Sequence, residues 1–135
     1  MADTITRKTY LVSEENFSAL SQLFKDGWSS ANGAQDANVK VLVGEDSFSI
    51  LIQNALNKAE RLLAAQEAGR SRMRRYVRGL VEILYADQRS RIRQLTCEDF
   101  QLLGVDVNFE KDYVMCNFQS VQRPDDWQEE GCDQE

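Results

Sequence analysis

The spacing of apolar and polar positions divides the chain into short elements. Thr4 to Val12 is rich in β-branched and aromatic residues and predicts a strand. Ser13 is placed as a helix N-cap, with Glu14 and Glu15 in the first turn, where carboxylates interact favourably with the helix dipole. Phe17, Leu20, Leu23 and Phe24 form one apolar face, and Gly27 predicts the stop, giving a helix of about three turns. Trp28 to Ala37 carries loop chemistry, including Asn32-Gly33. Val39, Val41 and Val43 alternate with Lys40 and Leu42, which predicts a strand over Asn38–Val43 with one face strongly buried. Gly44-Glu-Asp-Ser then opens a helix with Asp46 or Ser47 as cap, and a stripe from Phe48, Leu51 and Ile52 to Leu62 and Leu63 continues it to Gly69, which either ends or bends it.

Met73, Tyr76, Val77, Leu80, Val81 and Leu84 hold helical spacing in the segment that follows. Gly79 lies inside it, at about 1 kcal/mol relative to alanine, which suggests a close crossing against the preceding helix. These two helices are expected to form an αα-hairpin as the spine of the fold. Thr96-Cys-Glu-Asp99 matches a capping box before Phe100, Leu102 and Leu103, so a short helix is expected there with Gly104 as its end. Val105, Val107 and Phe109 alternate, Glu110-Lys-Asp112 reads as a turn, and Tyr113 to Phe118 resumes a strand. A terminal hairpin is the reading, with one long strand as the alternative. The expected fold class is α+β: a small sheet of about three to four short strands packed on an αα-hairpin plus two shorter helices. Residues 1–123 are read as a single domain and 124–135 as an acidic C-terminal tail.

Charge changes this picture. Eight of the eleven arginines fall between Arg70 and Arg93, opposed within that window only by Glu82 and Asp87. The window is therefore +6 while the chain is −6. Arg70, Arg74 and Arg78 recur at i, i+4, i+8 and share a helix face, with Arg75 beside them and Arg89 and Arg93 repeating the spacing. Guanidinium is a planar fork suited to carboxylate and phosphate. The candidate anion- or partner-binding set is Arg70, Arg74, Arg75, Arg78, Arg89 and Arg93. Its first expected partner is an acidic protein surface or a second copy of the chain, in a homo-oligomer. Phosphate, as nucleic acid or nucleotide, is the alternative. A third reading takes the remaining charge of −12 as an acidic surface that inhibits a basic enzyme by mimicking nucleic acid. The acidic tail competes for the same arginines, and Trp127 within it is a candidate anchor.

Other chemistry is sparse. The chain has no histidine, which removes Ser-His and Cys-His pairs and the usual zinc sites. Cys97, Cys116 and Cys132 are widely spaced and read as free thiols of a reducing compartment. The carboxylate pairs Glu14/Glu15, Glu45/Asp46 and Glu98/Asp99 sit at expected helix starts, where capping explains them. No catalytic residue, metal or cofactor is expected. The apolar runs are too short to span a bilayer, so the expectation is a cytoplasmic, non-enzymatic regulatory protein with no membrane contact.

Overall fold

The computed structural model describes residues 14–44 and 46–121. In chain order the elements are helix α1 (Glu14–Asn32), strands β1 (Asn38–Val43) and β2 (Ser47–Gln53), helices α2 (Lys58–Ala64) and α3 (Glu67–Thr96), and strands β3 (Phe100–Asn108) and β4 (Tyr113–Ser120). The strands form one antiparallel sheet in the order β1-β2-β4-β3. A long helix followed by a β-hairpin thus occurs twice, and the two units join where β2 pairs with β4. The α+β class, with a small antiparallel sheet packed against helices, is as the sequence predicts. The Thr4–Val12 strand, the Ser13 cap, Trp127 and the boundary at residue 124 lie outside the described residues.

One face of the sheet makes the core. Phe48, Ile50 and Ile52 of β2 and Val114, Cys116 and Phe118 of β4 are all buried, while the alternate positions of both strands are not. Leu20, Phe24 and Trp28 of α1 and Met73, Val77, Val81 and Leu84 of α3 join the same cluster. Phe48 stacks on Phe118 at 4.9 Å between centroids and meets Phe100 edge-on at 4.6 Å.

Several boundaries differ from the sequence reading. Residues 47–53 are strand, not helix. Phe48, Ile50 and Ile52 satisfy a period of two as well as Phe48, Leu51 and Ile52 satisfy a helical one. Pairing on both sides, with β1 and with β4, decides between them. The helical part of that stretch is only α2, capped by Asn57 in a reciprocal box with Glu60. The expected αα-hairpin is therefore not the spine; α3 packs on α1 instead, and Gly27 belongs to that contact. A Cβ at Gly27 would stand 3.0 Å from the Leu84 side chain. The helix runs through Gly27 to Asn32 and ends before Gly33, whose φ is +77°. Gly79, by contrast, has no atom of the described residues within 4 Å of where its Cβ would be, so no close crossing among them explains it.

The Thr96–Asp99 segment ends a helix and does not start one. Thr96 Oγ1 donates to Ile92 O at 2.8 Å, and Cys97 takes the left-handed conformation, φ 61°, as the C-cap of α3. Leu102 and Leu103 lie in β3, where a bulge falls between Leu102 and Gly104. The terminal hairpin forms as expected, with Asp112 at φ 55° in its turn.

The free-thiol reading holds at Cys116 and fails at Cys97, which is disulfide-bonded. Burial pushes the Cys116 thiol up from 9.0 to about 12. Because the folded value is the higher one, its contribution to stability is present below pH 9.0 and is lost as pH rises towards about 12. Native protein at neutral pH is expected to leave Cys116 unalkylated by iodoacetamide, with modification appearing on addition of urea. Rapid labelling of Cys116 without denaturant, read by peptide mass, would contradict this burial.

Candidate functional site

Helix α3 carries the whole arginine cluster, and tertiary contacts sort its members. Arg70 turns inward: its Nε donates to Ala64 O at 2.9 Å, and its guanidinium lies 5.9 Å from the centroid of the Phe109 ring. Arg74 lies over the same ring at 5.2 Å while remaining exposed. Phe109 comes from the β3–β4 turn, so that hairpin positions two neighbouring guanidinium groups. Arg78 Nε donates to Glu82 at 3.3 Å, an exposed i, i+4 pair worth a few tenths of a kcal/mol. Arg89 Nε donates to Asp99 at 3.1 Å, where the carboxylate is buried and the arginine is exposed. The Asp99 carboxylate raises the Arg89 pKa, chiefly through that hydrogen bond.

Asp99 is held in turn by the junction of α3 and β3. The Tyr85 hydroxyl accepts from Phe100 N at 2.9 Å, and Glu98 accepts from the Ser120 hydroxyl. Burial is the main cause that raises the Tyr85 pKa. Arg75 is exposed on the same side of the helix and makes no ion pair within the described residues. Arg93, in the last turn, is half-buried. The structure thus gathers Arg74, Arg75, Arg78 and Arg89 on an exposed side, and draws Arg70 towards the sheet. Phe109 and Asp99 were missed as site residues. Neither carries a local signal, because each acts on an arginine remote from it in the chain or beyond a helix end.

A second feature lies at the α2–α3 elbow, where a groove of about 630 Å³ is lined by Leu62, Leu63, Met73 and Tyr76. Glu60 is buried at this groove; its Oε1 accepts from Asn57 N at 2.8 Å and Asn32 Nδ2 at 3.1 Å. Its Oε2 has no well-formed hydrogen bond among the described residues. Burial, then the Glu60 carboxylate, raises the Tyr76 pKa. Among the described residues no group of three or more Cys, Asp or Glu could hold a metal ion.

A family model described as "Na+-translocating membrane potential-generating system (MpsC)" matches residues 14–119, from the first turn of α1 almost to the end of β4. The chain belongs to the MpsC family. The matched span coincides with the two helix–hairpin units, so the fold described above is the family's domain in this chain. MpsC membership overturns the expectation of a protein without membrane connection, since the family is described by a membrane potential-generating system. Composition misled here because it reports only whether a chain can enter a bilayer. No helix among the described residues is long and apolar enough to cross one. The MpsC description names ion translocation by a system and no covalent reaction, in keeping with a non-catalytic protein of that system. Neither curated proteins nor solved structures gave a match.

Proposed function

We propose that the protein is a non-catalytic docking component. It binds, through the exposed arginine side of α3, an acidic protein face of a membrane-associated member of the system that its family describes. The observation that carries this reading is the pre-positioning of the guanidinium groups. Arg74 is seated on Phe109 and Arg89 on Asp99, both without loss of exposure. A merely solvated arginine face needs no such seats. Arginines held by the fold lose less conformational freedom on binding than free ones would, and their forks suit carboxylates. Arg75 and Arg78 complete the surface. Arg70 supports it from within through Ala64 and Phe109.

Membranes from the native cell provide the test. The full chain is expected to co-sediment with them at low salt and to be released as salt rises, because exposed charges are screened over about 8 Å at physiological ionic strength. The combined Arg74→Glu, Arg75→Glu and Arg78→Glu variant should lose more than about tenfold in binding while keeping its circular dichroism. Protein-free vesicles of anionic lipid should not replace the membranes. Equal binding to such vesicles would exchange the acidic protein for lipid headgroups, and unchanged binding of the variant would sink the proposal.

A further inference from the structure

The side of α3 away from the arginine seats carries a second pattern. Arg72, Tyr76, Gly79, Ile83 and Asp87 recur at i, i+4, i+7, i+11 and i+15, so they form one stripe along the helix. Tyr76 is 46% exposed and Ile83 62% exposed, which leaves two large apolar side chains in water on one line. Between them Gly79 is open, with no atom of the described residues within 4 Å of its missing Cβ. A glycine there weakens the helix by about 1 kcal/mol with no internal contact to explain it. What it provides is room for another backbone or side chain to approach closely. At the two ends stand Arg72 and Asp87, and neither forms a salt bridge within the described residues.

The stripe is complementary to itself. In an antiparallel pair of α3 helices related by a two-fold axis between Gly79 and Leu80, Arg72 of one copy faces Asp87 of the other. Tyr76 then faces Ile83, and Gly79 faces Leu80. Every contact occurs twice, as in an isologous dimer. A parallel pair would set Arg72 against Arg72 and is disfavoured. The exposed Leu62 and Leu63 flank the Arg72 end. A groove between α1 and α3, lined by Leu23, Gly27, Ile83 and Asp87, flanks the other end.

We propose that a second copy of this chain docks on the Arg72–Tyr76–Gly79–Ile83–Asp87 stripe, antiparallel and two-fold symmetric. This surface is distinct from the arginine seats, so the dimer leaves those free for a membrane-linked partner. The chemistry that selects the partner is the paired reversal of charge about an open glycine.

The test uses the full chain in sedimentation velocity over a concentration series. Wild type should show reversible monomer–dimer exchange. Arg72→Asp alone creates two like-charge contacts in a self-dimer, as does Asp87→Arg alone, and each should weaken association by about tenfold. Mixing the two variants should restore it, because the mixed dimer recovers opposite charges at both ends. Ile83→Arg, on an exposed side chain, should weaken it without changing the circular dichroism. A protein that stays monomeric at every concentration overturns the proposal. So does association indifferent to the single reversals, or a mixture no better than its parts. Loss of membrane binding in the Arg74, Arg75 and Arg78 variant bears on the other face alone.

Discussion

Replacement of Trp28 by alanine is expected to lower folding stability by about 3–5 kcal/mol, the largest single effect anticipated for this domain. The indole is fully buried near the C-terminal end of α1 and belongs to the core cluster beneath the sheet. Its Nε1 donates to Ala55 O at 2.8 Å, and Asn32 Nδ2 donates to the same carbonyl at 2.8 Å. Truncation leaves a cavity and removes one of the two donors to the Ala55 carbonyl, which help fasten the β2–α2 connection to α1. Trp28→Phe should recover most of the packing and lose chiefly the hydrogen bond, at about 1 kcal/mol plus the residual volume. Urea unfolding of both variants provides the check, with the midpoint shifting and the slope preserved. A loss below about 1 kcal/mol for Trp28→Ala would mean that the indole is not a core residue.

Gly69→Ala is the second large effect, and its sign runs against propensity. Alanine in place of glycine within a helix ordinarily gains up to about 1 kcal/mol. At Gly69, in the first turn of α3, the new Cβ would lie 1.9 Å from Leu63 O, a backbone atom that cannot swing aside. The α2–α3 elbow must therefore open. With it go the Gln66 N to Leu63 O contact and the Arg70 Nε bond to Ala64 O. The expected cost is about 2–3 kcal/mol or more, as for overpacking that moves backbone. Gly79→Ala makes the matched control, since no described residue comes within 4 Å of the new Cβ there and the usual gain of about 1 kcal/mol should appear. The same substitution in the same helix should then give opposite signs. Two gains, or two losses, in parallel urea titrations would show that the elbow is not closed as described.

These glycines also show where the sequence was readable. The apolar rhythm of α3 and the alternation of β1 survive in the fold because each reports the burial of a single face. The terminal hairpin is legible for the same reason, its turn lying between two alternating runs. The roles of Gly27 and Gly79 are reversed relative to their local context. Gly27 looks like a stop and is a helix crossing against Leu84, whereas Gly79 looks like a crossing and faces open space. A glycine's role depends on what stands opposite, which local sequence does not contain. Residues 47–53 fail similarly, because Phe48, Ile50, Leu51 and Ile52 fit either period. Hydrogen bonding to β4, contributed by a distant segment, removes the ambiguity.

For the candidate site, the sequence alone determined that eight arginines share one helix and that some recur on one side of it, since that follows from helical geometry. It also contained the charge-reversed stripe about Gly79, though not which face of α3 would be buried. Only the tertiary structure decided which arginines are seated and which surface stays open. Arg70 and Arg74 meet Phe109, and Arg89 meets Asp99, because β3 and β4 return alongside α3 after the helix ends. Periodicity fixes direction around a helix axis, whereas partners are set by which distant segments pack against that axis.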